Sequence, residues 1–494
     1  TDKEAPSYRR LTVVRGYKLE VELVAIKALL QDPSLGDAAV PDHMLLDNSN
    51  SRWKLHLSPT YWLLMVLGSP AVRKLENDDS AGLWALRDLP VEAATARLRA
   101  VAQGKMSWAA FNDPAFNEAG GLDKKQFANY IGKLLQYVDV LCVTPAASHN
   151  VREYAMWKHW HAKAIAIDEA GNMNCADLYD VWGNTMQPAF LGGDHMQLPP
   201  TVISSMDKGT AEGEYRNRFA KYGKISALLK FQAMGMPVYR LNRQLRMAKG
   251  MFDIPSAVTY PDVPLTYSAS CNISRPEFQI GRDLERYLRR VFPVLAAPPT
   301  SDRLRPVFLH CPNSITEQDN MTGGSRMNSK QVTIALDAIA GFIRATRVDP
   351  ARISILSPYA ANVAEIKQQL KGRNKYGPIL SSMPSPSTVD SFQGQENDII
   401  VLVMGTTVAS GPGFTTDPAR LNVAMTRPRS GLIIVGDINA AGHLMDRNGR
   451  LVRDATQKTF EFIDSEGNKC VRNAEALRSV LTTLVRDRRV VTVL

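Results

Sequence analysis

Short runs of consecutive apolar residues, each closing on small or polar ones, recur along this chain. They are VLCVTP at 140–145, AIAIDEAG at 164–171, AFLGGD at 189–194, ISILSPY at 353–359, IIVLVMGTT at 399–407 and LIIVGD at 432–437. A strand wetted on one face alternates polar and apolar residues, whereas an unbroken apolar run marks a strand covered on both faces. The runs therefore predict parallel sheets flanked by helices, with ligands expected at the carboxyl ends of the strands, where the polar residues fall. Helical patterns lie between them. NVAEIKQQLKG sets Val363, Ile366 and Leu370 on one face, with Asn362 and Glu365 as a capping box and Gly372 as a stop. RDLERYLRRVF sets Leu284, Leu288 and Val291 on one face and its arginines on a solvated one. APPTSDR and NSITEQDNMTGGSR read as loops.

The strands form two groups, roughly 10–230 and 235–470, and a helical, irregular stretch at about 30–135 interrupts the first. The economical architecture is two α/β domains, at 1–232 and 233–470, followed by a C-terminal helix and tail at 471–494. At 494 residues, 45% hydrophobic and 22% charged, the chain has the composition of ordinary globular material. No apolar run is long enough to span a membrane, and no signal-peptide pattern opens the sequence, so no membrane partner is expected. Lys and Arg number 59 against 49 Asp and Glu, a net +10 that suits a polyanion such as nucleic acid and also suits plain solubility. The five cysteines are scattered, which fits a reducing compartment, nucleus or cytoplasm, better than a disulfide framework or a zinc site. His159 and His161 in WKHWHAK belong to a surface helix or turn rather than a metal pair.

Chemistry concentrates at a few strand ends. Asp168 and Glu169 follow an apolar strand. An Asp there suits Mg²⁺ and the adjacent Glu suits deprotonation of an attacking water, although acids also favour a helix start. GGDHMQLPP follows, with Asp194 at a strand end and Gln197 in a turn stiffened by Pro199 and Pro200. An acid and an amide so placed suit sensing a γ-phosphate, and equally a plain turn. LNRQLRM supplies Gln244 and Arg246. STVDSFQGQEND runs into a strand, and DPARLNVAMTRPRSG reads as a helix with Asp417 as N-cap and Pro418 at its first position, then a strand. Arginines from such segments neutralise a transferring phosphoryl group, while each taken singly reads as a surface residue.

In this order the motifs closely resemble those of the superfamily 1B helicases of the nonsense-mediated-decay, senataxin and Aquarius type. The resemblance runs through DEAG (168–171), GDHMQLPP (193–200), QLRM (244–247), SPYAANV (357–363), TVDSFQGQE (388–396) and RLNVAMTRPRSG (420–431), with weaker matches at VVRGYKLEVE (13–22) and VLCVTPAAS (140–148). It implies two RecA-like, doubly wound parallel-sheet domains of the P-loop NTPase fold, with ATP and Mg²⁺ between them and single-stranded RNA or DNA across their tops. On this resemblance Asp168 serves magnesium, Glu169 is the general base, Gln197 and Arg246 contact the γ-phosphate, and Arg427 is the arginine finger. Asp194, Gln244, Gly394 and Glu396 bind nucleotide, with Glu396 at the sugar. Thr144, Pro145, Pro358, Tyr359, Thr388 and Gln393 serve nucleic acid or coupling.

Departures from the family pattern are as informative. No GxxxxGK[ST] occurs, since the Gly-Lys pairs at 104, 132 and 223 are followed by Met, Leu and Ile. The family's phosphate loop would precede residue 13, so the chain is expected to be a truncated motor whose first domain is incomplete, exposes a sheet edge and grips triphosphate poorly. Pro428 is expected to push Arg427 out of the helical region. Asn362 stands where Gln is common, and Met196 replaces a frequent Lys. The competing reading is a non-catalytic nucleic-acid- or protein-binding scaffold derived from a helicase. An unrelated doubly wound enzyme would need another nucleotide motif, and no GxGxxG follows a strand.

Overall fold

A computed structural model describes residues 10–44, 53–88, 93–113, 121–183, 187–206, 217–298, 300–319, 325–371, 376–452, 458–463 and 469–493. The chain divides into two compact units, Thr1–Asp168 with Asn174–Gly192, and Glu169–Met173 with Gly193–Leu494.

In the first unit, strand β1 (Val13–Arg15) pairs in parallel with β2 (Val140–Cys142), and β3 (Ile165–Ile167) with β4 (Ala189–Leu191). Most of its core is helical. Ala25, Ile26 and Leu29 of helix Leu19–Gln31 meet helix Pro59–Leu67 and the Phe127, Ile131 and Leu134 stripe of helix Lys124–Leu135. That stripe has the i, i+4, i+7 spacing that puts three side chains on one face of a helix. Helix Pro59–Leu67 begins where Ser58 accepts from the Tyr61 N–H and stops at Gly68, whose φ of 80° is the left-handed conformation that closes helices. The first-unit strands depart from the expected two-sided burial. Ile165 and Ile167 are buried, yet Phe190 is 72% exposed and Val140 40%. With three residues per strand, these pairs are covered mainly on one face among the described residues. His159 lies in the last turn of helix Arg152–Trp160, and His161 caps it.

The second unit contains β5 (Arg243–Gln244) paired with β6 (Thr266–Tyr267), and then β7 (Val307–His310). The antiparallel pair β8 (Glu317–Asp319) and β9 (Ser325–Met327) corrects the loop expectation for that segment, of which 320–324 lie outside the described residues. The chain continues through β10 (Ile353–Ser357), β11 (Ser387–Thr388), β12 (Asn397–Val403) and β13 (Pro428–Gly436). The antiparallel hairpin β14 (Thr459–Ile463) and β15 (Lys469–Asn473) precedes β16 (Val490–Thr492). Six of these form one all-parallel sheet in the order β11-β10-β12-β13-β7-β16, so the segment expected as a tail supplies an edge strand.

Strand periodicity explains why the runs are apolar throughout. Ile399, Val401 and Val403 point into one core, where helices Gln279–Val291, Ser329–Thr346 and Ala360–Lys371 cover the sheet. Ile400 and Leu402 point into the other, under helices Pro418–Thr426 and Glu475–Arg486. Alternate side chains thus fill opposite layers, and the sheet is doubly wound.

Two helical expectations need correcting. Helix Ala360–Lys371 starts before Asn362, so that residue is no cap. It is fully buried, and its amide donates to Ser357 Oγ at 3.0 Å while Oδ1 accepts from the Asn328 N–H at 3.1 Å. Gly372, the expected stop, lies outside the described residues. In helix Gln279–Val291, Leu284 and Leu288 are buried, but Val291 is 45% exposed because the helix ends there and its last turn leaves the core.

Candidate nucleotide site in the second unit

Two loops set the floor of the site. In the parallel sheet, Glu396 and Arg427 immediately precede β12 and β13, so they lie at its amino-terminal edge. This differs from the general expectation that ligand residues gather at carboxyl ends. Pro358, Tyr359 and Thr388 do lie at that opposite edge, after β10 and at the end of β11. Glycines let the DEAG and GGD segments approach. A Cβ on Gly193 would lie 2.7 Å from the Gly171 nitrogen, and one on Gly171 would overlap the Asp194 carbonyl. Glu169 itself has a φ of 54°, a left-handed backbone that non-glycine residues adopt at a cost. Asp168, exposed at the end of β3, belongs to the first unit.

Arg427 is the centre of the cluster and is only 3% exposed. Its Nε donates to Val423 O at 3.1 Å, Nη1 to Gln395 O at 3.3 Å, and Nη2 to Thr426 Oγ1 at 3.0 Å and Gln197 Oε1 at 3.3 Å. Its backbone is helical, φ −79° and ψ −28°, which overturns the expectation from Pro428. The guanidinium bonds and the register of Asn397 against Pro428 outweigh the local steric preference. Proline is tolerated there because the first residue of a strand can lack an N–H. Burial, and then the neighbouring charge of Arg246, lower the Arg427 pKa to about 10, with Glu169, Tyr260 and Glu396 opposing. The guanidinium therefore keeps its charge at neutral pH.

Gln197 is fixed at its other end. Its Nε2 donates to Asp194 Oδ2 at 3.1 Å, and the Met196 N–H donates to Asp194 Oδ1 at 2.9 Å. Tyr260, which sequence reasoning missed, donates its hydroxyl to Asp194 Oδ2 and accepts from Asn422 Nδ2 at 2.7 Å. Burial and Asp194 hold the Tyr260 hydroxyl well above the ordinary phenol range. Asn422, on helix Pro418–Thr426, also donates to Met196 O at 3.2 Å. Nothing in VTYPDV signals the tyrosine's role, which depends on a contact 66 residues away.

Arg246 donates to Thr426 O at 2.6 Å, and the Ala248 N–H to Arg429 O at 2.7 Å, so the QLRM turn docks on the segment that carries Arg427. Gln244 caps that turn, accepting from the N–H groups of Arg246 and Met247 at 2.9 and 3.2 Å. A cavity of about 260 Å³ opens beside it, lined by Phe252, Ser256 and Tyr267 among others. Glu396 lies between Arg246 Nε at 3.2 Å and Arg429 Nε at 3.7 Å, and Arg429 is a further member that sequence reasoning passed over within RPRSG. Gly394 takes φ 76°, and a Cβ there would come 3.9 Å from a Glu169 carboxylate oxygen.

Arg246, Arg427 and Arg429 thus cluster with Glu169 and Glu396, and Arg429 also pairs with Asp398. The buried Nε donors of Arg246 and Arg429 make no hydrogen bond among the described residues. Guanidinium groups held beside carboxylates fit a polyphosphate carrying a divalent cation.

The other expected residues have structural partners. Thr144 caps helix Pro145–Asn150 by accepting from the Ala147 N–H at 3.3 Å, and Pro145 opens that helix, both in the first unit. Tyr359 is buried, accepts from the Phe414 N–H at 2.9 Å and stacks on the Phe414 ring. Thr388 shares a 2.9 Å hydrogen bond with Ser391, and Gln393 is half-buried.

The doubly wound sheet with this cluster defines an α/β domain of the RecA-like kind. A model described as an AAA domain matches residues 224–439. Regulator of nonsense transcripts 1 from Dictyostelium discoideum is 26% identical over 331 residues, which are 65% of this chain and 22% of that protein. DNA polymerase alpha-associated DNA helicase A from Saccharomyces cerevisiae is 29% identical over 262 residues, 52% of this chain and 35% of that one. Helicase sen1 from Schizosaccharomyces pombe is 27% identical over 340 residues, 68% of this chain and 18% of that one. Over half to two thirds of its length the chain is thus similar to helicases of the nonsense-mediated-decay and senataxin type, which supports the superfamily 1B resemblance. It spans only 18% to 35% of the length of these relatives.

Proposed function

We propose that this chain carries part of the motor of an ATP-dependent nucleic-acid helicase or translocase, with single-stranded RNA or DNA as its track. The observation that supports this best is the bond between Gln197 and Arg427, beside Glu169, Arg246 and Glu396. A scaffold has no chemical need for a buried, charged arginine among acids and other arginines. In this reading Asp168 would hold Mg²⁺, which supplies charge neutralisation at the phosphates, and Glu169 takes the proton of the attacking water. Gln197 and Arg246 orient the terminal phosphate, and Arg427 stabilises its charge in the transition state. Glu396, with Asp194, Gln244 and Gly394 behind it, shapes the nucleotide end. Within the second unit Pro358, Thr388 and Gln393 would serve nucleic acid, and within the first Thr144 and Pro145 would.

The 494 residues hold no phosphate-loop motif, so turnover by this chain alone is expected to be weak or nil. The same absence supports the alternative, a non-catalytic nucleic-acid- or protein-binding scaffold. ATP hydrolysis measured with and without single-stranded RNA or DNA separates the two. Stimulated turnover that disappears in Arg427→Ala supports the motor and refutes the expectation of weak activity. Nucleic-acid binding that is indifferent to Arg427 and to ATP supports the scaffold.

A further inference from the structure

Gln197 sits between unlike neighbours. Its Nε2 donates to Asp194 Oδ2 at 3.1 Å, and its Oε1 accepts from Arg427 Nη2 at 3.3 Å. A carboxylate can only accept and a guanidinium can only donate, so this order of the two amide ends satisfies both. Turned over, the amide would set its carbonyl against the carboxylate and its N–H groups against the guanidinium. Whether Arg427 keeps its bond to Gln197 therefore depends on how firmly the Asp194 carboxylate is held.

Among the described residues that carboxylate has three donors, and two of them are local. The Met196 N–H and Gln197 Nε2 belong to the same short loop and can turn with it. Tyr260 reaches in from outside. It caps the C-terminus of helix Asp253–Thr259, and its ring stacks on Phe252 with centroids 5.9 Å apart and planes 27° from parallel. Its oxygen accepts from Asn422 Nδ2 at 2.7 Å, and Asn422, which is 2% exposed, also donates to Met196 O at 3.2 Å. Helix Pro418–Thr426 carries Asn422 and leads directly into Arg427. A single hydroxyl joins the loop that carries Gln197 to the helix that aims the arginine.

We propose that Tyr260 is a positioning residue: through Asp194, its hydroxyl fixes which end of the Gln197 amide meets Arg427, and with it the seat of that arginine. How the arginine is held stands on these contacts, whereas what it is used for rests on the motor reading above. Without the hydroxyl, Asp194 Oδ2 keeps only a donor from its own loop, and Asn422 loses an acceptor. The Gln197 amide is then free to rotate, and a small misplacement of a group that acts on a transferring phosphoryl is costly.

The test is labelling of arginines in the full chain by phenylglyoxal, read by peptide mass spectrometry. It compares the parent, Tyr260→Phe, Gln197→Met and the double variant, all well below melting. Arg427 should label about 2- to 10-fold faster in each single variant, the range of one hydrogen bond. It should label no faster in the double variant, since both changes release the same contact. Arg489, 1% exposed and paired with Glu285 at 2.6 Å, should keep the parent's rate in all three. ATP hydrolysis with single-stranded RNA or DNA should lose about 10- to 100-fold in kcat in Tyr260→Phe, with KM within about twofold, a split that general loosening would not give. Arg427 labelling unchanged in Tyr260→Phe, effects that multiply in the double variant, or turnover equal to the parent's would each overturn the proposal. Labelling as expected in a chain that hydrolyses no ATP upholds the hold of Tyr260 on Gln197 and Arg427 and counts against the motor reading alone.

Discussion

Glu22 is fully buried in the helical core of the first unit, and no cation pairs with it among the described residues. Its Oε1 accepts from Trp53 Nε1 at 3.0 Å and its Oε2 from the Thr60 hydroxyl at 2.6 Å. Burial raises its pKa to about 7 from 4.5, and the two hydrogen bonds offset only part of that. Because the folded value lies above the unfolded one, the group's contribution is complete below about pH 4.5 and is lost as the pH rises through 7. At about 1.4 kcal/mol per pH unit the full loss is about 3 kcal/mol, of which roughly 2.5 falls between about pH 5 and pH 8. Glu22→Gln removes the titration and keeps the shape. The amide oxygen still accepts from Trp53, and the amide nitrogen can donate to Thr60, whose hydroxyl already lies 3.4 Å from the Glu22 carbonyl and can turn to it. Urea unfolding followed by tryptophan emission across that pH range should show the variant gaining on the parent by about 2.5 kcal/mol. A stability difference that stays flat with pH would show that the carboxyl is not desolvated as argued.

Substitutions at three positions probe the second unit. Gly171→Ala should lower thermal stability by about 1–3 kcal/mol in a calorimetric scan, since its Cβ would overlap the Asp194 carbonyl. Tyr260→Phe removes the hydroxyl shared by Asp194 and Asn422 and should cost about 1–3 kcal/mol in urea melts, with faster amide exchange at Met196 and Gln197. Any nucleic-acid-stimulated ATP hydrolysis should fall by about 10³-fold or more in Arg427→Ala. Arg427→Lys should not restore it, because a single ammonium cannot span the acceptors on Val423, Gln395 and Gln197.

What the sequence makes legible is decided by range. Strands β10, β12 and β13 are readable because each is apolar on both faces, and the helix after Asp417 is readable because its cap and its proline are local. Glu169, Gln197, Arg246, Glu396 and Arg427, picked out from motif order, lie in one unit and in one cluster. Tyr260 and Arg429 are not legible, since what they do depends on contacts with Asp194 and Glu396 that no local pattern encodes. The burial of Tyr359 was not legible for a related reason. A motif position specifies its residue type and not its exposure, and Phe414 covers it. The expected displacement of Arg427 by Pro428 fails because a local backbone preference is weaker than four hydrogen bonds and a strand register.

Strand β12 begins one residue after Glu396 and ends at Val403, whose carbonyl accepts from the amide of Asn362 at the carboxyl edge of the sheet. Seven extended residues reach about 23 Å, and this strand is pinned on both flanks and sealed between two close-packed layers. Such a rod neither bends nor shortens appreciably under small forces. Any slide or tilt imposed where the arginines sit must therefore emerge at the far end as movement of the same order, with no hinge between to absorb it.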